Sequence, residues 1–208
     1  MKMKWIAVSI CLLIVIAGVA MLRPGGPAVM REFFAEPDSN PDHKRINSQP
    51  LKLPLVDPKI EVTKNKRELL LYSEGQIVRV YRVGLGTNPI GDKVRQGDGR
   101  TPEGEFYVCS KNPKSSYYLA LGLSYPNEKS AERGLREGLI TKFQRDQIVQ
   151  AIRSRGVPPW NTRLGGEVFI HGHGSSSDWT LGCVALDNAD IKELYDTVPR
   201  LTQVVIKP

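Results

Sequence analysis

A histidine and a cysteine near the end of the chain have the residue types that thiol chemistry needs. The stretch FIHGHG carries His171 and His173, and TLGCVAL carries Cys183. A cysteine thiol has a pKa of about 8.5 and is mostly protonated near neutrality, so it needs a base before it can act as a nucleophile. An imidazole can take that proton, and backbone N–H groups around Gly182 and Cys183 could hold a developing oxyanion. The pattern indicates nucleophilic catalysis by Cys183.

Other interpretations of Cys183 stay open at this point. Free cysteine is among the most buried residue types, so Cys183 could simply begin a core strand. The two histidines and Cys183 also have the donor types of a metal site, with Asp178 and Asp187 as the nearest carboxylates, although no CxxC or HExxH motif is present. In an oxidising compartment Cys183 could instead pair with Cys109. The thiol chemistry itself requires neither a metal nor an organic cofactor.

Short strand-like runs must position these residues. His171 ends the apolar run EVFI, and a strand end holds a side chain firmly while it faces a cleft. Upstream, the runs KIEV, ELLLY, IVRVYRVGLG, EFYVCS and SSYYLALGLSYP are joined by turns such as Ser73–Gln76 and Thr101–Gly104. IVRVYRV alternates and is rich in branched residues, as half-buried strands are. These runs predict a mainly β, antiparallel domain in which Cys109 lies in the core.

Two stretches predict helices. Thr141 can cap a helix over 142–155 that ends before Gly156, and this helix belongs to an insertion over residues 127–160. A second short helix is predicted in DNADIKELYDTV, before the final strand LTQVVIKP. The residues expected on the buried face of the first helix are Phe143, Ile148, Ala151 and Ile152.

The N-terminal part predicts export. Residues 1–23 place two lysines before an uncharged run over 5–22, which is the layout of a signal peptide or an uncleaved signal anchor in the inner membrane. Residues 24–58 contain seven prolines and are expected to form an extended linker. Residues 59–208 then form the folded domain, which we expect to be exported, either anchored or cleaved and soluble.

The overall composition limits the classes of partner. The 208 residues are 40% hydrophobic and 25% charged, which is typical of a globular protein, and the net charge of +7 favours anionic surroundings. No run of five basic residues and no aromatic–basic RNA motif occurs. We therefore expect no nucleic-acid partner.

The motif around Cys183 resembles the signature of the L,D-transpeptidase (YkuD-like) catalytic domain family. That signature is a strand ending in His-Gly, a loop, then Ser/Thr-x-Gly-Cys and an apolar residue, here His171-Gly172, Thr180, Gly182-Cys183 and Val184. The VGLG run and GDGRTPEGEFYV are also similar to the family, so the resemblance covers about residues 59–208. It implies an antiparallel, sandwich- or barrel-like β fold with short helices and a helical insertion.

The resemblance also implies roles for residues. Cys183 would be the nucleophile and His171 the general base and acid, while Thr180 and Gly182 would support the loop and the oxyanion. His173 and Trp179 are candidate substrate contacts. The sequence departs from many relatives at two positions, which are Leu181 in place of histidine and Ala185 in place of arginine or asparagine.

The implied substrate is the stem peptide of peptidoglycan. A thioester would form at the third stem residue, and an amine would then accept the acyl group. The Cys-Val-Ala variant and LGLSYPN (121–127) resemble periplasmic members that include peptidoglycan–lipoprotein endopeptidases. Hydrolysis by an L,D-endopeptidase or carboxypeptidase, including release of a wall-attached lipoprotein, is therefore one alternative. A non-catalytic wall-binding protein, or a module stapled by a disulfide or metal, is the alternative from another class.

Overall fold

A computed structural model describes residues 40–208. The predicted signal peptide or anchor over residues 1–23, and the linker up to residue 39, lie outside the described residues. Within the part that the structure describes, no helix has both the length and the apolar character that crossing a bilayer requires.

Eight strands form one sheet, in the order β3-β2-β1-β8-β4-β5-β6-β7. Neighbouring strands are antiparallel except for the pairs β1–β8 and β6–β7, which are parallel. The prediction of a mainly β, largely antiparallel domain is confirmed. The strands are β1 Lys59–Thr63, β2 Glu68–Ser73, β3 Gln76–Arg82, β4 Gly104–Ser115, β5 Tyr118–Leu123, β6 Phe169–His171, β7 Val184–Ala185 and β8 Gln203–Lys207.

The two edges of this sheet curl toward each other, which gives it a barrel-like form. The chain after β3 forms isolated bridges from Gly84 to Ala185 of β7 and from Gly86 to Thr180. These contacts explain the VGLG run. A Cβ at Gly84 would lie 2.3 Å from the Ser177 carbonyl oxygen, and a Cβ at Gly86 would lie 2.0 Å from that of Gly99. Only glycine permits such close backbone approach.

The core lies on the inner face of the curled sheet. Strand β1 alternates between half-buried and buried residues, so Ile60 and Val62 point inward together with Leu71 of β2. Such alternation follows from the two-residue period of a strand. Replacing one of these side chains with alanine would cost about 2–5 kcal/mol. Cys109 in β4 has no exposed surface, as predicted.

Two helices fill the predicted insertion, and the second has the predicted cap. Thr141 and Gln144 form a reciprocal capping box at its start. On its buried face Ile148 is fully covered, but Phe143 is 69% exposed, so the prediction for Phe143 is wrong. These two residues are five positions apart and therefore point about 140° apart around a helix. The helices of the described residues are α1 Pro41–Asn47, α2 Glu128–Arg136, α3 Lys142–Arg153 and α4 Asn188–Thr197.

The end of the predicted linker is partly helical rather than extended. Helix α1 begins at Pro41, and Asn40 accepts a hydrogen bond from the Asp42 N–H at 3.0 Å. The Asn47 amide then pairs with the backbone of Val80 in β3, donating at 2.7 Å and accepting at 2.9 Å. Because β3 is an edge strand, α1 satisfies backbone groups that would otherwise be unpaired.

Candidate active site

The parallel pairing of β6 and β7 brings the predicted base and nucleophile to neighbouring strands. Ile170 lies opposite Val184, and His171 lies opposite Ala185. Cys183 directly precedes β7. The pairing thus places the segment that carries Cys183 beside strand β6, which ends at His171.

The Cys183 thiol is held by the backbone of the segment that enters β6. Its Sγ accepts a hydrogen bond from the Phe169 N–H at 3.4 Å and lies 3.6 Å from the Glu167 carbonyl oxygen. Cys109 and Cys183 are both free thiols, so no disulfide joins them. Burial raises the pKa of Cys183, and the Phe169 N–H and the charge of Lys93 only partly oppose this. The thiol is therefore neutral at pH 7.

A backbone carbonyl orients the His171 imidazole. The residue is 3% exposed, and its Nδ1 lies 2.8 Å from the Gly172 carbonyl oxygen. A carbonyl can only accept, so we assign the proton to Nδ1, which leaves Nε2 free to take a proton. Burial lowers the pKa of His171; the Gly172 carbonyl opposes this shift, and the neighbouring His173 adds to it. The imidazole is therefore neutral at pH 7.

The site thus pairs a neutral thiol with a neutral imidazole. Within residues 40–208, no hydrogen bond joins Cys183 to His171; the thiol contacts the Phe169 and Glu167 backbone instead. Catalytic hydrogen bonds often tighten only when substrate binds. For the predicted nucleophile and base, two neutral groups favour proton transfer during attack over a thiolate formed in advance.

Two threonine hydroxyls fix the peptide of the nucleophile. The Thr180 Oγ1 donates to the Cys183 carbonyl at 2.9 Å and accepts from the Gly182 N–H at 3.1 Å. The Thr101 Oγ1 donates to the same carbonyl at 3.2 Å and accepts from the Gly86 N–H at 3.0 Å. The sequence predicts only a turn at Thr101 and does not predict this contact with Cys183. The GDGRTPEG stretch, which is similar to the family, is the one sequence feature that marks Thr101.

These bonds change the interpretation of the oxyanion donors. The Gly182 N–H is already committed to Thr180, so it supports the loop. The Cys183 N–H precedes β7 and has no partner among the hydrogen bonds of the described residues, which leaves it as the candidate donor. Gly182 has a φ of +130°, and a Cβ there would lie 2.6 Å from the Arg100 carbonyl oxygen. Glycine is therefore required before the nucleophile.

The carboxylates considered for a metal site have other partners. The Asp178 carboxylate accepts from Arg67 Nη2 at 2.6 Å and from the Leu85 N–H at 2.9 Å. These bonds tie the loop to the far edge of the sheet. Asp187 accepts from the Ser175 N–H at 3.0 Å. In the described range 40–208, no three His, Cys, Asp or Glu side chains are grouped closely enough to hold a metal ion.

An aromatic cluster surrounds the imidazole. The Tyr117 ring stacks on His171 with centroids 4.6 Å apart and planes at 28°, and Trp179 lies edge-on at 5.5 Å. The Trp179 Nε1 donates to the Gly174 carbonyl at 3.1 Å, so this ring is anchored in the loop. His173 is exposed and meets the edge of Tyr117 at 5.7 Å. Tyr117 lies in the turn between β4 and β5, and no sequence motif marked it.

The two departures from the family pattern differ in exposure. Leu181 is 83% exposed beside the nucleophile, whereas Ala185 is fully buried. Neither residue places a polar side chain at the cleft.

Comparison with known proteins agrees with this fold and motif. The family model of the L,D-transpeptidase catalytic domain, YkuD, matches residues 57–206. The chain therefore belongs to the L,D-transpeptidase catalytic domain family. The matched region includes every candidate site residue named above.

Individual relatives are more distant. YafK of Escherichia coli (strain K12), which is named as a provisional L,D-transpeptidase, is 27% identical over 146 residues, covering 67% of this chain and 46% of YafK. The chain thus spans about half the length of the curated relatives it matches. The helical cell shape determining protein Pgp2 from Campylobacter jejuni is 22% identical with a TM-score of 0.49, over 79% of this chain and 54% of that chain. An L,D-transpeptidase from Xylanimonas cellulosilytica DSM 15894 is 19% identical with a TM-score of 0.45, over 76% and 64%.

Proposed function

We propose that this protein modifies peptidoglycan by cysteine-dependent acyl transfer at stem peptides, with Cys183 as nucleophile and His171 as general base and acid. The observation that carries the proposal is the pairing of β6, which ends at His171, with β7, which directly follows Cys183, within the region matched by the family model. Their neutral state at pH 7 supports a base-assisted attack.

In the first half-reaction the thiol becomes acylated. The Cys183 Sγ attacks the carbonyl carbon of the third stem residue while its proton moves to His171 Nε2. The oxyanion accepts a hydrogen bond from the Cys183 N–H. His171 then gives the proton to the leaving amine, the amide C–N bond breaks, and a thioester remains.

In the second half-reaction the acceptor restores the free thiol. An amine attacks the thioester while His171 takes its proton, and the C–S bond breaks. The thiolate then recovers the proton from His171. Transfer to an amine gives a crosslink or an anchored lipoprotein, whereas attack by water gives hydrolysis.

Muropeptide assays test this proposal. The purified protein is incubated with disaccharide-tetrapeptide, with and without an added amine acceptor, and the products are weighed by mass spectrometry. We expect a covalent adduct on Cys183 and an acceptor-dependent crosslinked product. A disaccharide-tripeptide formed without acceptor would instead identify a hydrolase. Cys183→Ala should abolish both products, and Cys109→Ala is the matched control because that thiol is buried elsewhere.

A non-catalytic wall-binding protein would behave differently. In that case wild type and Cys183→Ala would bind peptidoglycan equally, and neither would change the mass of a muropeptide. That outcome would contradict the proposal. A disulfide-stapled module would show no free Cys183 thiol, which labelling with a maleimide detects.

We also propose that the protein is exported to the periplasm, because residues 5–22 form an uncharged run behind two lysines. The substrate lies in that compartment. Cell fractionation tests the location, and the N-terminal sequence of the isolated protein distinguishes an anchor from a cleaved signal peptide. Recovery of the protein only from the cytoplasm would contradict this proposal.

A further inference from the structure

The tip of the β4–β5 hairpin covers the catalytic histidine. The pairing of Ser115 with Tyr118 leaves a two-residue turn that contains Tyr117. Strand β5 also pairs with β6, placing Ala120 opposite His171, so the hairpin tip lies beside the end of the catalytic strand. The Gly172 N–H donates to the Tyr117 carbonyl at 3.0 Å, which fixes this approach through the backbone.

The Tyr117 side chain makes a separate contact. Its ring lies nearly parallel to the imidazole, at 4.6 Å between centroids and 28° between planes. The ring is also 5.6 Å from Trp179, which meets the imidazole edge-on. Tyr117 keeps 45% of its surface exposed although it is a large aromatic residue, whereas His171 keeps only 3%. The tyrosine thus separates the imidazole from solvent while gaining little burial itself.

We propose that Tyr117 is a positioning residue for His171, whose ring holds the imidazole plane and excludes water from one of its faces. The inference rests on the proposed function, since it assigns His171 the role of base. The Nδ1 bond to Gly172 fixes one edge of the imidazole but leaves rotation about that edge open. Stacking on Tyr117 limits this rotation and so holds the orientation of Nε2.

Exclusion of water has a consequence for protonation. Burial is the largest cause of the lowered pKa of His171, and Tyr117 supplies part of that burial. Among the described residues, the titratable group with a resolved effect on the His171 pKa is His173 on the following loop, which lowers it. Within residues 40–208, no carboxylate is hydrogen bonded to the imidazole. Removing the Tyr117 ring should hydrate His171 and raise its pKa toward the ordinary value.

The experiment compares Tyr117→Ala, Tyr117→Phe and Tyr117→Leu in the full chain. We expect Tyr117→Ala to lower kcat/KM about tenfold at pH 6 and to move the acid limb of the pH–rate profile up by roughly 0.5–1 pH unit. Tyr117→Phe should stay within about twofold of wild type, because no hydrogen bond to the phenol occurs among the described residues. Tyr117→Leu should keep part of the pKa effect but lose the orientation of the imidazole, giving a lower kcat without the full shift of the limb.

Tyr118→Ala is the matched control. Tyr118 lies next along the same hairpin, is similarly exposed at 41%, and makes none of the ring contacts with His171. It should leave both the rate and the pH profile unchanged. If Tyr118→Ala reproduced the effect of Tyr117→Ala, hairpin stability would explain the loss and the proposal would be overturned.

NMR titration of the His171 ring separates this inference from the proposed function. The titration needs no substrate, so it remains informative if muropeptides are not turned over. We expect the His171 pKa to rise in Tyr117→Ala and to remain at the wild-type value in Tyr117→Phe. An unchanged titration in Tyr117→Ala would refute the role of Tyr117 whatever the protein's substrate.

Discussion

Removal of the Thr180 hydroxyl should destabilise the nucleophile loop by an amount that the structure allows us to work out. Thr180→Val keeps the shape of the side chain but loses two hydrogen bonds. The lost bond to the Cys183 carbonyl contributes about 1 kcal/mol, and that carbonyl still accepts from Thr101. The Gly182 N–H is left buried without an acceptor, which costs about 1–3 kcal/mol. We expect a total loss of about 2–4 kcal/mol.

Urea unfolding measures this loss, with Thr180→Ser as the matched control. Serine keeps the hydroxyl and loses only a methyl group, so its cost should be about 1 kcal/mol. Both variants should shift the midpoint with an unchanged m-value, because the surface exposed on unfolding is the same. In the muropeptide assay Thr180→Val should lower kcat by about 10–100-fold with little change in KM, since the displaced group is the proposed nucleophile.

Two results would refute the reasoning. Thr180→Val could be as stable as wild type within about 0.5 kcal/mol, or Thr180→Ser could be as damaging as Thr180→Val. A double variant with Thr101→Val gives a further check. The two hydroxyls share one carbonyl, so their combined cost should exceed the sum by at least about 0.5 kcal/mol.

Three further predictions follow from the site and its surroundings. Gly182→Ala should distort the loop before Cys183 and reduce activity more than 100-fold, because the new Cβ would meet the Arg100 carbonyl oxygen. Circular dichroism and the muropeptide assay check this, and a variant that is both folded and active would contradict it. The rate of Cys183 alkylation by iodoacetamide should rise about tenfold per pH unit between pH 7 and 8, because burial raises the pKa of its thiol. Cys109 is fully buried and should react only after unfolding. Peptide mapping identifies the alkylated residue, and labelling of Cys109 before Cys183 would contradict this prediction. Burial and two neighbouring carboxylates raise the pKa of Asp190 to about 6, so the folded state binds the proton more tightly than the unfolded state, and stability should fall as pH rises from about 4 to 6. Asp190→Asn should flatten that decline and add roughly 1 kcal/mol at pH 7, after allowance for solvent screening; a steeper decline in urea unfolding would rule this out.

Local sequence patterns predict much of the fold. The alternation in IVRVYRV and the capping sequence at Thr141 depend on neighbouring residues alone, so strand β3 and helix α3 followed from them. The prediction for Phe143 is wrong because Phe143, Ile148, Ala151 and Ile152 span about 180° around the helix, which is too wide for one buried face. Helix α1 was missed because prolines in 24–58 indicated an extended linker, although Pro41 stands at a helix start, where its missing N–H costs nothing.

The residues of the candidate site also fall into two groups, those that a local motif predicts and those that only the folded structure brings together. His171, Thr180 and Cys183 lie in one short stretch and were predicted from its motif. Tyr117 in the β4–β5 turn and Thr101 before β4 reach the same place through contacts between residues more than fifty positions apart in the chain. A single sequence contains no local signal for such contacts. The hydrogen bond from the Gly182 N–H to the Thr180 hydroxyl likewise depends on the direction of the Thr180 side chain, which the spacing of residues in the sequence does not determine.

The arrangement around Cys183 also bears on how substrate is recognised. Leu181 is exposed but apolar, and Ala185 is buried, so the loop offers no polar side chain at the two positions where many relatives carry one. Cys183 is instead held through its own carbonyl oxygen, which accepts hydrogen bonds from Thr180 and Thr101. Its position therefore does not depend on a contact with the substrate. Under the proposed function, recognition of a stem peptide then falls to exposed side chains beside Cys183, of which Leu181 is 83% exposed. Substituting the exposed Leu181 should change KM, whereas substituting either threonine should change kcat.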